Sequence, residues 1–458
     1  MRPKSIAAVI CLALFVVGCS AGRAPGGLQG PAGNVVPVPQ HVERAAVDGL
    51  PIGHYIKHVV VIIQENRSFE NIFAGFPNAD APMYGYLHDG TKIDLHSQNF
   101  KGNDLPHGYA AAIWDYNGGA MNAFDTAVEK WPRPHEKPTY PYAYIDRQDS
   151  APYWTMAKQY VLADEMFPTE WGPSFTAHID LIAATTFLND AKTLALVDTP
   201  SVGPWGCDSP PGATTPTLDS QLHRVLKGPF PCFTRFATLA QPLDAKGVSW
   251  RYYAPIVHGP GGIYSAFDAI KQVRDGPDWS RNVISPQTQI LKDAAKSGGL
   301  ASVTWVVPTG IDSDHAGSNS DTGPSWVSAV VNTIGKSPSW SSTAIIVLWD
   351  DWGGWYDNVP PPQLDYLGLG ERVPAMVISP YAKSGYVSHT QYEFGSILKF
   401  TESVFNLPSL GFSDARASGL SDAFDFSQKP RAFKQIPCKY PPSHFMLRPP
   451  TFLPPDDD

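Results

Sequence analysis

The chain is short of several things, and each shortage narrows what it can be. Only five of its 458 residues are cysteine, and no C-x-x-C pair occurs, which argues against a thiolate zinc site. Charge is sparse at 17%, with 34 basic against 43 acidic side chains and a net charge of −9. No basic excess is available to follow a phosphate backbone, so no nucleic-acid partner is expected. Beyond the N-terminus no apolar run approaches the roughly 20 residues that span a bilayer. A P-loop, a dinucleotide-binding glycine fingerprint, a G-x-S-x-G elbow and an H-E-x-x-H helix are all missing. What is plentiful is apolar residues, 43% of the chain, with 39 glycines and 45 prolines. That describes a folded protein with a sizeable core and long proline-rich loops, not a disordered chain.

The first residues read as an export signal. Arg2 and Lys4 precede the short apolar run Ile6–Val17, which ends Val16-Val17-Gly18-Cys19. Residues 1–18 are expected to be removed. Cys19, directly after Gly18, resembles the lipid-accepting cysteine of bacterial lipoproteins, with 19–50 as a tether. The membrane is then a partner through the N-terminal lipid, and the expected location is exported, on the bacterial cell envelope. An exported chain meets an oxidising compartment. Cys207 and Cys232 bracket a Gly/Pro/Thr loop and are the expected disulfide, leaving Cys438 over.

From about 51 to 410, apolar runs alternate with helical patterns. Strands are expected at 58–63, 160–166, 249–254, 301–307, 343–348 and 372–379. Helices are expected at 68–76, 174–186, 286–296, 324–336 and 391–406. Such alternation, with fully apolar strands, indicates an α/β fold whose mainly parallel sheet is covered on both faces. Residues near 77–150 and 187–245 read as loop-rich insertions that build a cap. Residues 411–458 read as an irregular, proline-rich end.

Ligands of open α/β sheets bind beyond the carboxyl ends of the strands. After 58–63 come Glu65 and Asn66; after 343–348 come Asp350 and Asp351, followed by Gly353 and Gly354. Adjacent acids repel unless a proton or cation sits between them. Two oxygen-bearing pairs on two apolar strands therefore suggest one divalent ion: Mg²⁺, Ca²⁺, Mn²⁺ or Zn²⁺. Ser174 opens a helix, where it can cap the backbone or, beside a metal, act as a nucleophile. His107, His315 and His389 lie in glycine- or proline-marked loops and could donate to an anion. Trp349, Trp352 and Trp355 near these acids leave open a glycan-binding or glycan-cleaving surface lipoprotein.

Six blocks resemble the bacterial phosphoesterase family of phospholipases C and acid phosphatases, in the same order. They are HVVVIIQENRSFENIFAGFP, DLPHGYAAAIWDYNGGAMNAF, ADEMFPTEWGPSFTAH, SDHAGSNSDTGPSWV, TAIIVLWDDWGGWYDNVPPP and RVPAMVISPYAKSGYVSHTQYEFGSILKFTESVF. The resemblance implies an alkaline-phosphatase-like three-layer α/β/α sandwich. It implies that Glu65, Asn66, Ser174, Asp350 and Asp351 share one metal, and that Ser174 forms a phosphoryl-enzyme. His107, His315 and His389 would face the phosphate or the leaving group. The substrate would be a small phosphate ester or a phospholipid. Ser174 and Asp350-Asp351-Trp352 lean towards the acid-phosphatase side, with phospholipase C as the alternative. Phe175-Thr176-Ala177-His178 departs from the family pattern of Asn and Arg or His after the nucleophile, so the resemblance carries over to His178 only weakly.

Overall fold

The computed structural model describes residues 50–132, 137–259 and 262–456. The expected signal segment, Cys19 and nearly all of the tether lie outside these residues.

The chain alternates as expected. The elements that matter here are β1 (His58–Gln64), α1 (Phe69–Phe73), α2 (Tyr109–Tyr116), α3 (Ala151–Gln159), β2 (Val161–Phe167), α4 (Ser174–Ala183), β3 (Trp250–Tyr253) and β4 (Val283–Ile284). They continue with β5 (Val303–Val306), α5 (Gly323–Gly335), β6 (Thr343–Trp349), β7 (Val373–Ile378), β8 (Tyr386–Ser388), β9 (Tyr392–Glu393) and α6 (Phe394–Phe405). Local chemistry marks the ends. Ser68 caps α1 by accepting from the Asn71 amide, Pro324 sits in the first turn of α5, and Glu393 with Ser396 forms a capping box on α6.

The strands join in one nine-stranded sheet in the order β4-β3-β5-β1-β6-β7-β2-β8, with β9 also on β2. All neighbours are parallel except β7, which runs antiparallel to both β6 and β2. β1 and β6 sit at the centre, and β6 is buried along its whole length. Their side chains face helices on both sides, which is why the runs are apolar throughout rather than alternating. The helices fall into two layers: α4 packs on α6, and α3 packs on α5. The fold is the expected three-layer α/β/α sandwich around a mainly parallel sheet.

The insertions carry more regular structure than a loop reading foresaw. Residues 77–150 contain α2, a second helix at Phe124–Lys130, and two small strand pairs. Residues 187–245 contain a three-stranded sheet, Leu194–Leu196, Thr217–Asp219 and Arg224–Val225. Elements this short leave no measurable periodicity in sequence. The Cys207–Cys232 disulfide is formed within the second insertion, and Cys438 is a free, half-buried thiol.

Candidate active site

The site is built where β1 and β6 end side by side. These strands are parallel neighbours with Gln64 opposite Trp349, so the residues that follow, Glu65-Asn66 and Asp350-Asp351, leave the sheet together. The Asn66 amide donates to Asp350 Oδ1 at 3.1 Å, holding the two turns to each other. Asn66 has φ +56, a left-handed conformation that asparagine tolerates better than most residues. The turn after Asp351 needs glycine for a second reason. A Cβ on Gly353, at φ +64, would lie 2.3 Å from the Asn66 carbonyl oxygen.

Ser174 enters from the third segment. Pro173 holds the N-cap position of α4, and Ser174 is the first helical residue, so the capping role is not the one its hydroxyl takes. Ser174 Oγ instead donates to Asp351 Oδ2 at 3.1 Å and accepts from Asn66 Nδ2 at 3.3 Å. Asn66 Nδ2 also lies 3.2 Å from Asp351 Oδ2, and Asp351 Oδ1 is held by the Gly353 amide at 2.8 Å. All of these side chains are fully buried.

The expected cluster contained oxygen ligands only, and here the structure corrects the sequence reading. His178 lies one turn after Ser174 on the same helix face, and its Nε2 stands 3.2 Å from Glu65 Oε1 and 3.4 Å from Asp350 Oδ2. Tyr252 Oη stands 3.5 Å from the other ring nitrogen. Burial alone would keep His178 neutral, but the charges of Glu65 and the hydrogen bonds to Asp350 and Glu65 raise its pKa well above the ordinary value. Burial, then the charge of Asp350, pushes Glu65 and Asp351 far up. Burial opposes ionisation of Asp350 too, yet the hydrogen bond and charge of His178 bring its pKa down.

Two carboxylates on the His178 imidazole, with Asp351 next to Asp350, are too much negative charge for a dry pocket, so protons or a cation must balance it. The donors suit a cation. Glu65 Oε2 and Asn66 Oδ1 are buried without a hydrogen-bond partner. Glu65, His178 and Asp350 each present a ligand atom within 4.8 Å of the others. A mixed oxygen and imidazole set of this kind could hold a divalent metal.

Two of the three expected loop histidines border the cluster. His107 donates from Nδ1 to the Leu105 carbonyl at 2.7 Å, which leaves Nε2 to accept from Asn66 Nδ2 at 3.1 Å. The His315 ring lies 5.5 Å from that of His107. Its Nδ1 bonds the Ala316 carbonyl, and its Nε2 stands 3.1 Å from Asp456 Oδ1. Burial lowers the His315 pKa, but the hydrogen bond and charge of Asp456, helped by Asp104, outweigh it and push it up to about 10. His315 is thus an imidazolium near neutral pH. Asp456 arrives from the C-terminal segment, which is pinned where the Gly310 and His258 amides donate to the Leu453 and Phe452 carbonyls.

His389 is not brought in. It follows the edge strand β8, three strands from β6 in the sheet, which is roughly 14 Å at the usual strand spacing. Its ring is 60% exposed and pairs with Asp164 at 2.9 Å. The tryptophans also correct an expectation. Trp349, Trp352 and Trp355 are 0–1% exposed, and Trp352 donates to buried Asp115, so none offers a face to a sugar. Of the residues that sequence reasoning left unassigned, His178 had a signal in its spacing of four from Ser174. Asp456 had none.

The model of the phosphoesterase family matches residues 56–408. The non-hemolytic phospholipase C of Pseudomonas aeruginosa is 25% identical over 423 residues, covering 81% of this chain and 57% of that protein. The chain therefore spans little more than half of that relative. Phospholipase C B of Mycobacterium tuberculosis is 24% identical over 459 residues, covering 86% of this chain and 82% of that protein. Among solved structures, a protein in the alkaline phosphatase superfamily from Vibrio parahaemolyticus is 10% identical, covers 81% of this chain and 73% of that one, and has a TM-score of 0.38.

Proposed function

Because the chain belongs to the phosphoesterase family over most of its length, we propose that it hydrolyses phosphate esters with Ser174 as the nucleophile. The observation that carries this reading is the Ser174 hydroxyl, donated to Asp351 and steered by Asn66 at a helix start, beside a carboxylate cluster fit for a metal. In the reaction, Ser174 Oγ bonds to phosphorus while its proton passes to Asp351 Oδ2. The bond from phosphorus to the leaving oxygen breaks and that oxygen takes a proton from solvent; water then bonds to phosphorus and gives a proton to solvent, while the bond from Ser174 Oγ to phosphorus breaks, Oγ recovers its proton from Asp351, and phosphate leaves. Asn66, held by His107, keeps Oγ aimed. For His315 to donate to a phosphoryl or leaving oxygen, that oxygen would have to replace Asp456 at Nε2, since Nδ1 is held by the Ala316 carbonyl.

Glu65, Asn66, His178, Asp350 and Asp351 would hold a single divalent ion, with Ser174 beside it. Such an ion supplies Lewis-acid stabilisation of the attacking and phosphoryl oxygens. His178 in the set makes Zn²⁺ or Mn²⁺ as suitable as Mg²⁺ or Ca²⁺. On the ester class, Ser174 and the Asp350-Asp351-Trp352 sequence favour a small phosphomonoester. Phospholipid is the second reading, favoured by the phospholipases C among its relatives. Lipid attachment at Cys19 would set the enzyme at a membrane surface outside the cytosol, a reading that the disulfide supports.

The test compares wild type with Ser174→Ala on an aryl phosphate, a bis-aryl phosphate and a phospholipid. Turnover should fall by several orders of magnitude in the variant, on every substrate that wild type accepts. Near-wild-type rates would remove the nucleophile assignment, and a wild-type preference for phospholipid would give the ester class to the second reading.

A further inference from the structure

A cavity of about 420 Å³ lies behind α4, away from the face that carries Ser174 and His178. Asp180 is two residues past His178, about 200° around the helix, and so points to the opposite side. It lines the cavity fully buried, and neither of its carboxylate oxygens has a hydrogen-bond partner. The Tyr366 hydroxyl on the same wall is also buried and without a partner. Glu170 and Asp365 add two more carboxylates, and Phe187 and Phe412 complete an aromatic wall with Tyr366.

The cations already present do not answer Asp180. Arg416 is engaged by Glu393 at 2.8 and 2.9 Å and by Asp365. Lys192 is exposed, bonds the Gly411 carbonyl at 3.4 Å and lies over the Phe412 ring. Burial, then the charge of Glu393, raises the Asp180 pKa well above the ordinary value, so the acid holds a proton when nothing answers it, and an N–H donor is what would let it ionise.

We propose that this cavity binds a small organic ammonium ion, with its N–H donors on Asp180 and its carbon skeleton against Phe187, Tyr366 and Phe412. The aromatic faces and the acids both attract a cation. A bare metal ion fits less well. Among the described residues, ligand atoms gather within 4.8 Å in the group Glu65, His178 and Asp350 and in the group Asp104, His107 and His315, and Asp180 belongs to neither. The volume also exceeds what an ion fills and lies in the range of small-molecule sites. Two acceptors without partners call for N–H donors, so a primary ammonium is favoured over a quaternary one.

The experiment is titration calorimetry on the full chain with ethanolamine, 1,4-diaminobutane, choline and calcium chloride. A primary amine should bind, and choline should bind more weakly. Asp180→Asn should weaken the amine by roughly tenfold or more, as expected for loss of a charge-assisted hydrogen bond. Tyr366→Phe, which keeps the packing of the ring, should weaken it less, and Ser174→Ala should leave it unchanged. Should Asp180→Asn fail to fold, Tyr366→Phe and Phe187→Leu carry the same test. The proposal is overturned by no binding of either primary amine, by choline binding as tightly as ethanolamine, or by calcium binding that depends on Asp180. It is equally overturned by amine affinity that none of the cavity variants alters.

Discussion

The pair His315–Asp456 makes stability depend on pH in a window where few proteins show it. The His315 pKa lies near 10 in the folded protein, against 6.5 for the free side chain. The folded value is raised, so its contribution is fully present below about pH 6.5 and is lost as pH climbs through about 10. At about 1.4 kcal/mol for each pH unit, the ceiling is roughly 5 kcal/mol. The ring is 4% exposed and Asp456 fully buried, so solvent screening is weak, yet relaxation of the C-terminal segment would discount the ceiling to about 2–3 kcal/mol. Urea denaturation of wild type and His315→Gln between pH 6 and 10 reads this directly. Other groups titrate there, so the difference between the two proteins is the observable. It should shrink steadily as pH rises. Asp456→Asn should abolish the slope, and the His315 ring resonances should then titrate far below 10. A wild-type-minus-variant difference that stays flat from pH 6 to 10 would refute the ion pair as the cause.

Three further outcomes are expected. Chelation should lower the melting temperature of wild type, because it strips the balancing charge from Glu65, Asp350 and Asp351. Asp350→Asn should bind no metal in elemental analysis and lose that response; full metal occupancy in an Asp350→Asn, Asp351→Asn double variant would remove the site. Gly353→Ala should cost about 2–3 kcal/mol in urea denaturation, since positive φ and the 2.3 Å approach to the Asn66 carbonyl both oppose a Cβ; a loss under half of that would show the turn to be slack. Replacing Cys207 and Cys232 by serine opens a loop with 25 residues of separation and should cost about 3 kcal/mol, measured by denaturation with and without reductant.

The central strands were legible because β1 and β6 are buried on both faces, and a continuous apolar run can be read without knowing its partners. The direction of β7 was not, since Val373–Ile378 is equally apolar read either way and only its antiparallel pairing with β6 and β2 reveals it. The same contrast divides the site. Glu65, Asn66, Asp350 and Asp351 stand at strand ends that share a register, so finding the two strands was enough to bring their tips together. Ser174 needed only the start of α4. His178 follows from the same helix once Ser174 is placed, since a spacing of four puts both on one face. Its departure from the family's pattern gives it little weight in sequence, although helix geometry alone includes it.

His389 and Asp456 fail in opposite directions, for one physical reason. His389 sits in a block that matches the family in order, but order along the chain does not fix distance across a sheet, and β8 is the edge strand. Asp456 sits in a Pro-Pro-Asp-Asp-Asp end that looks like a solvated charge run. Its burial depends on backbone bonds to Gly310 and His258, contacts of a kind no local pattern encodes. Residues held by an element's periodicity or by a strand's register can be placed from sequence. Residues held by an irregular segment crossing the molecule cannot, and here one such residue raises the pKa of a histidine whose ring lies next to that of His107. The cavity behind α4 belongs with it. Asp180 would read as the polar side of an amphipathic helix, and only the packing of 365–367 and 411–416 around it turns that surface into a cavity wall with a buried acid.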